Sequence, residues 1–263
     1  MLRKLLKYDI ESILKFLTIF YSLAVFFALL TRIFFSYENS FVLEILGQIT
    51  TGATISMMCS TLINNLMRMW VRFKQNFYGD ESYLTHTLPA KKQTLYISKI
   101  LTAIITMFTS FVVVAVTLIL AYYSKENLEL IKGILLPVAD VYETSIVGVL
   151  IALLFILFLQ FFNILQCGFT GMILGHRMNN AKTGFSVLFG FITYGVTQTA
   201  MVTLIFIVAL FNSNFMNLFV TNAAIDIATL KTVIYMCICG YTALSVVLCF
   251  INIWLFKKGV DVD

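Results

Sequence analysis

Six stretches of about 20 or more apolar residues, nearly free of charge, divide this chain at 16–35, 45–66, 100–122, 146–165, 187–211 and 233–256. A helix rises 1.5 Å per residue, so about 20 residues cross the roughly 30 Å hydrocarbon layer of a bilayer. No water there can hydrogen-bond an exposed backbone, so stretches of this kind must form helices. Composition points the same way. Hydrophobic residues make up 60% and charged residues 12% of the chain, against about 25% charged in soluble domains. The expected fold is all-α: a polytopic membrane protein with six transmembrane helices, read as one transmembrane domain over 1–263.

Basic residues fix an orientation. Of the 18 Lys and Arg, only Arg32, Lys125, Lys132 and Lys231 fall in segments on one side. The others occupy the N-terminus, the gaps 67–99 and 166–185, and the C-terminus. The positive-inside rule then predicts that both termini are cytoplasmic; the expected location of such a multi-pass protein is the cell (plasma) membrane. An even number of spans requires the termini to share a side. The first span is too long for the apolar core of a signal peptide, and no small-residue cleavage site follows it, so it is expected to remain. The net charge of +5, concentrated on the inner side, suits anionic lipid headgroups rather than nucleic acid. The five cysteines lie in or beside spans, where small buried hydrophobes are expected rather than disulfides.

Several segments have a character of their own. Leu2, Leu5, Leu6, Ile10, Ile13, Leu14 and Leu17 recur at helical spacing, with Arg3, Lys4, Lys7 and Glu11 between them. The pattern predicts an interfacial helix over 1–15; its alternative is a plain extension of the first span. Spans 1 and 2 (16–66) form a hairpin in which Arg32 and Glu44 lie equidistant from Glu38, placed either to form an outer ion pair or to reach separately for water. Gly52, Ser56 and Ser60, and again Gly171 and Gly175, follow the small-residue spacing that lets helix backbones approach, and predict internal packing. In spans 5 and 6 (186–256), Thr193, Thr197 and Gln198 either line a pathway or pack by hydrogen bonds. The outer gap 212–230 is too apolar for a free loop and predicts a re-entrant segment. The more polar gap 124–144, within the 100–165 stretch of spans 3 and 4, is expected to carry a short surface helix.

The gap 67–99 is the longest on the inner side. The second span is expected to continue through Arg68 and Arg72, with Trp70, Phe73, Phe77 and Tyr78 as an interfacial collar. Gly79 and Asp80 read as a turn, with Asp80 a fair N-cap. A short helix over 81–88 then puts Leu84 and Leu88 on one face, and Pro89 ends it. Such a helix in the cytoplasm calls for a partner, or folds as a lid onto the inner ends of the spans.

Chemistry of its own is hard to find in the chain. It has no G-x-x-x-x-G-K-[ST] run to cradle nucleotide phosphates and no H-E-x-x-H pair. Its two histidines, His86 and His176, both fall in inner gaps. No catalytic residue, metal site or directly bound cofactor is therefore expected. A secondary transporter would keep ionisable residues near mid-membrane, where these spans are neutral. A scaffold or immunity protein holding a soluble partner remains an alternative.

One stretch carries a family likeness. The run Phe77, Tyr78, Gly79, Asp80, Glu81, Ser82, Tyr83, Leu84, Thr85, His86, Thr87, Leu88, Pro89, followed by Ile97, Ser98 and Lys99, resembles the inner loop of bacterial type-2 ATP-binding-cassette (ABC) exporter permeases. The N-terminal Leu5, Leu6, Lys7, Tyr8 and Asp9 are similar too, as is the plan of six spans with both ends inside. The resemblance implies that the cytoplasmic loop 67–99 carries a coupling helix between spans 2 and 3, seated in a separate soluble ATPase subunit that binds ATP. Glu81, Tyr83, Leu84, Thr85, Leu88 and Pro89 are the positions it assigns to ATPase coupling. It also implies a second permease chain, identical or different, short re-entrant helices before the sixth span, and export without an ATPase site of its own. Neutral, aromatic-rich spans favour an amphipathic or hydrophobic cargo, such as a peptide, drug or lipid-like molecule.

Overall fold

The computed structural model describes residues 2–36, 41–87, 91–211 and 227–258. Its elements are α1 (Leu2–Phe35), α2 (Phe41–Tyr78), α3 (Ser82–Thr87), α4 (Lys92–Tyr122), α5 (Lys125–Val141), α6 (Ile146–Gly175), α7 (Lys182–Phe211) and α8 (Ile227–Lys257). Among the described residues there is no strand. Six helices, α1, α2, α4, α6, α7 and α8, are long and apolar enough to cross a membrane. Large apolar side chains such as Phe26, Ile49, Phe108, Phe191 and Phe250 are exposed on them, as in a multi-pass protein whose solvent is lipid. Each expected span lies inside one of these helices, but the helices run further. The 38 residues of α2 measure about 57 Å, well beyond the roughly 30 Å of hydrocarbon, so α2 projects past it.

The N-terminal segment continues into the first span. α1 is one uninterrupted 34-residue helix, the continuity that a plain extension of that span requires. Asp9, Ile13, Leu17, Ala24, Ala28 and Thr31 are its buried positions, a stripe at three-, four- and seven-residue intervals that keeps one face inward from end to end. Ile13 and Leu17 are wholly buried, so the amphipathic stretch uses its apolar side for protein packing.

The chain divides into two compact units, Met1–Leu128 and Glu129–Asp261. In the first, α1 packs along both α2 and α4, and α2 packs on α4. Small and polar residues let these helices close up. The Thr31 and Thr54 hydroxyls meet at 3.0 Å. Ser110 joins Tyr21 at 2.8 Å and accepts from the Asn65 amide at 2.8 Å. Interhelical hydrogen bonds of this sort contribute about 0.6 kcal/mol each in membranes, so they align the helices more than they hold them together.

In the second unit, α6 packs along α7 and α8. The tightest approach is at Gly171 and Gly175, which lie against the backbone of Ser186 and Gly190 on α7. This is the internal packing expected of the pair. Gly52 behaves otherwise: nothing lies within 4 Å of where its Cβ would be, and Ser56 is exposed. Gly52 and Ser56 therefore mark no close helix approach among the described residues, and Ser60 is half-buried. The cysteines are all free; Cys167 is buried, whereas Cys59 and Cys239 are exposed and are not the buried hydrophobes expected. Pro137, in the gap 124–144, sits within α5.

Candidate functional site

The start of α1, the end of α2, α3 and the start of α4 meet at one end of the first unit. Their meeting point is charged. Asp9 is 4% and Lys99 5% exposed, and the Lys99 ammonium donates to Asp9 Oδ2 at 2.6 Å. Arg72 lies beside the same carboxylate, its Nε 3.6 Å from Asp9 Oδ1. Through Nη1 it also donates to Glu81 Oε1 at 3.3 Å. Asn76 closes the network in the amide orientation that satisfies both of its ends. Its nitrogen then donates to the Arg72 carbonyl at 2.8 Å and to Glu81 Oε2 at 3.0 Å, and its oxygen accepts from Lys99 at 2.8 Å. The Lys99 ammonium also lies 5.8 Å from the centre of the Phe77 ring, within reach of its electron-rich face.

Local sequence explains each placement. Asp9 stands one helical turn before Ile13 on the buried stripe of α1, so the helix delivers a carboxylate where a hydrophobe would be expected. Arg72 and Asn76 are i,i+4 neighbours on the extension of α2 beyond its apolar span. Phe73 and Phe77, both wholly buried, pack edge to face at 4.8 Å and hold that extension rigid. Gly79 lets the chain turn back: a Cβ there would sit 3.2 Å from Gln75 Cα. The helix that follows starts at Ser82, so Glu81, rather than Asp80, takes the capping position. The Glu81 carbonyl accepts from the Thr85 amide at 3.0 Å.

α3 shows two faces. Ser82 and Thr85 are buried, at 3% and 9%, whereas Tyr83 and Leu84 are 76% and 68% exposed. Glu81 is half exposed at its side chain, 46%, and links this short helix through Arg72 to Asp9 and Lys99. Of the six positions assigned to ATPase coupling, Leu88 and Pro89 lie outside the described residues. Beneath α3 is a cavity of about 120 Å³, lined in part by Tyr8, Asp9, Arg72, Thr85, Ser98 and Lys99. Sequence reading marked Glu81 and Thr85, but not that Asp9, Arg72, Asn76 and Lys99 form the other half of the network. The one available signal was an acid at a core position of an apolar stripe, which implies a buried cation nearby.

Other expected residues lie apart from this network. Arg32 and Glu44 are both exposed, and no ion pair joins them. Each has open surroundings, so little would be gained by holding two long side chains in one geometry. Thr193 donates to the Phe189 carbonyl of its own helix at 2.7 Å. Thr197, 3% exposed, accepts from the Asn163 amide at 3.3 Å and lies 3.9 Å from the Cys167 thiol. Gln198 accepts from the Tyr241 hydroxyl at 3.3 Å. Thr197 and Gln198 thus join α7 to α6 and α8, which favours the packing alternative for them. Thr197→Val is expected to lower thermal stability in detergent by only about 0.6 kcal/mol; a large loss would mean that the Asn163 cluster is more cooperative than its separate bonds.

The remaining part of the expected re-entrant segment at 212–230 lies outside the described residues up to 226, and 227–230 form the first turn of α8. Among the described residues, no group of three His, Cys, Asp or Glu is arranged to hold a metal ion. Comparison of the chain with family models, curated proteins and solved structures finds no match.

Proposed function

We propose that this chain is the membrane-spanning permease subunit of an ABC exporter, driven by ATP hydrolysed on a separate soluble subunit. The observation that carries the reading is the continuous polar link from α3 through Glu81, Arg72 and Asp9 to Lys99. A helix that presents Tyr83 and Leu84 outward, and is tied inward to the starts of α1 and α4, suits the transmission of a push. Two of the stretches behind the family likeness support it as well. The N-terminal run ends on Asp9 and the loop run on Lys99, and those two side chains form one ion pair.

In this reading α3 is the coupling helix and sits in the cytoplasm with both termini, at the plasma membrane. The ATPase receives Tyr83 and Leu84 in an apolar cleft, and Glu81 and Thr85 fix the helix from behind. The start of α1 is the inward extension of the first span that carries Asp9 to the network, and takes the place of a separate interfacial helix. A second permease chain, identical or not, completes the pathway for an amphipathic or hydrophobic cargo. Closure of the ATPase pair on ATP moves α3, and the network passes that movement to α1 and α4 together.

The test is a mild-detergent pull-down of the tagged full chain with ATPase activity measured on the eluate. Co-purification of an ATPase, lost in Leu84→Asp while the chain still elutes as the parent does, is the expected result. Leu84 is exposed, so this change leaves the buried network alone. Recovery of the chain with no ATPase in detergent and in nanodiscs would overturn the exporter reading in favour of a scaffold or an ATP-independent transporter.

A further inference from the structure

Between the spans formed by α4 and α6, the seventeen residues of α5 gather their charges on one side, with Leu136, 45% exposed, among them. At 100° per residue, Lys125, Glu126, Glu129, Lys132 and Asp140 fall within one arc of the helix. Leu130, Ile131 and Ile134 occupy an edge away from it and are 66%, 46% and 71% exposed. A third edge is covered: Ala139 is 3% exposed. The C-terminal end of α5 is held in its unit by Tyr142, whose ring lies 6.1 Å from that of Tyr235 with the Lys231 ammonium 5.5 Å from its centre.

A surface helix of a soluble domain turns its apolar edge onto protein. Here protein covers one edge only. Nor can α5 be a span. It is about 25 Å long and rich in charge, and the links at 123–124 and 142–145 tie its two ends to spans. With α4 arriving at one membrane face and α6 leaving from it, both ends of α5 lie at that same face. Tyr122 and Tyr123 precede it and Tyr142 follows it, the residue type that settles at headgroup depth.

We propose that α5 is an in-plane membrane helix whose Leu130, Ile131 and Ile134 edge inserts among neutral lipids at the face where α4 ends and α6 begins. The lipid class follows from charge. The polar arc carries two basic and three acidic side chains, a balance of −1, and lacks the Lys/Arg excess by which such helices select anionic headgroups. Apolar burial alone holds the helix, so zwitterionic lipid suffices. The inference is independent of the exporter reading.

The experiment uses the full chain in phosphatidylcholine vesicles, with an environment-sensitive fluorophore on Ile134→Cys or Glu129→Cys. Both positions are exposed, so packing is preserved, and the parent chain labelled in parallel gives the background of its five cysteines. The expected result has two parts. The label at 134 shows blue-shifted emission and loses intensity to lipid brominated high on the acyl chain. The label at 129 loses intensity to aqueous iodide instead. Adding anionic lipid leaves both unchanged. Equal iodide quenching at the two positions would place the edge in water and overturn the proposal. Protection of 134 from both quenchers would overturn it in favour of a protein partner, and deeper insertion on adding anionic lipid would overturn the neutral-lipid assignment.

Discussion

Asp9→Asn is expected to cost the folded chain about 3–5 kcal/mol, because it strands a buried ammonium. Lys99 is only 5% exposed, and its carboxylate partner stands at 2.6 Å. After the change, Lys99 keeps the Asn76 carbonyl oxygen and the face of Phe77, neither of which carries a full charge. Arg72 loses the same carboxylate and retains Glu81. The measurement is the thermal midpoint of the detergent-solubilised protein, with the fraction eluting as a monodisperse species. Lys99→Met is expected to be nearly as damaging, since Asp9 then keeps only Arg72 at 3.6 Å. The double variant separates interaction from site effects. Removing both members takes away the uncompensated charge, so it should be more stable than either single variant. If the two single losses simply add, Asp9 and Lys99 do not act as a pair, and the link from α3 to the spans is broken at its centre.

The reason this pair escaped the sequence lies in what periodicity can report. Apolar runs gave the spans, because about 20 uncharged residues in lipid have a single structural solution. The turn at Gly79 and the short helix after it were legible from turn and capping chemistry within a residue or two. Asp9 was different: it sits among Lys4, Lys7 and Glu11, and one charge among several in an amphipathic stretch looks solvated. Its partner is 90 residues away in sequence, a separation that no local pattern encodes. The same blindness explains Arg32 and Glu44, where equal depth suggested a pair but rotation about two helices keeps both side chains exposed. Helix ends lie beyond the spans for a related cause. Polar residues such as Asn76 and Lys99 can extend a helix beyond the lipid when a neighbour supplies their partners, so α2 and α4 outrun the apolar segments that revealed them.

Glycines make the second large prediction, with opposite signs at positions that look alike in sequence. A Cβ on Gly175 would lie 2.3 Å from the Ser186 backbone nitrogen, and one on Gly171 would lie 2.4 Å from the Ser186 oxygen and 2.5 Å from the Gly190 nitrogen. These contacts are with backbone, which cannot rotate away as a side chain can. Gly171→Ala and Gly175→Ala must therefore push α6 and α7 apart, at a cost of about 1–3 kcal/mol each, or more where the strain spreads. The crossing also seats His176, whose Nδ1 lies 2.9 Å from the Met172 carbonyl oxygen and 3.3 Å from the Ser186 hydroxyl, so separation loosens the turn between the two helices as well. Gly195 on α7 has nothing within 4 Å of its Cβ position. A helix-interior glycine costs about 0.5–1 kcal/mol relative to alanine, so Gly195→Ala should be neutral or slightly stabilising. Thermal midpoints of the three variants in one detergent decide the matter. A fall at 171 and 175 with none at 195 is the result that close backbone approach requires. Equal behaviour at all three would mean that α6 and α7 do not meet through these glycines, and that their small-residue spacing reflects only the ordinary abundance of glycine in membrane helices.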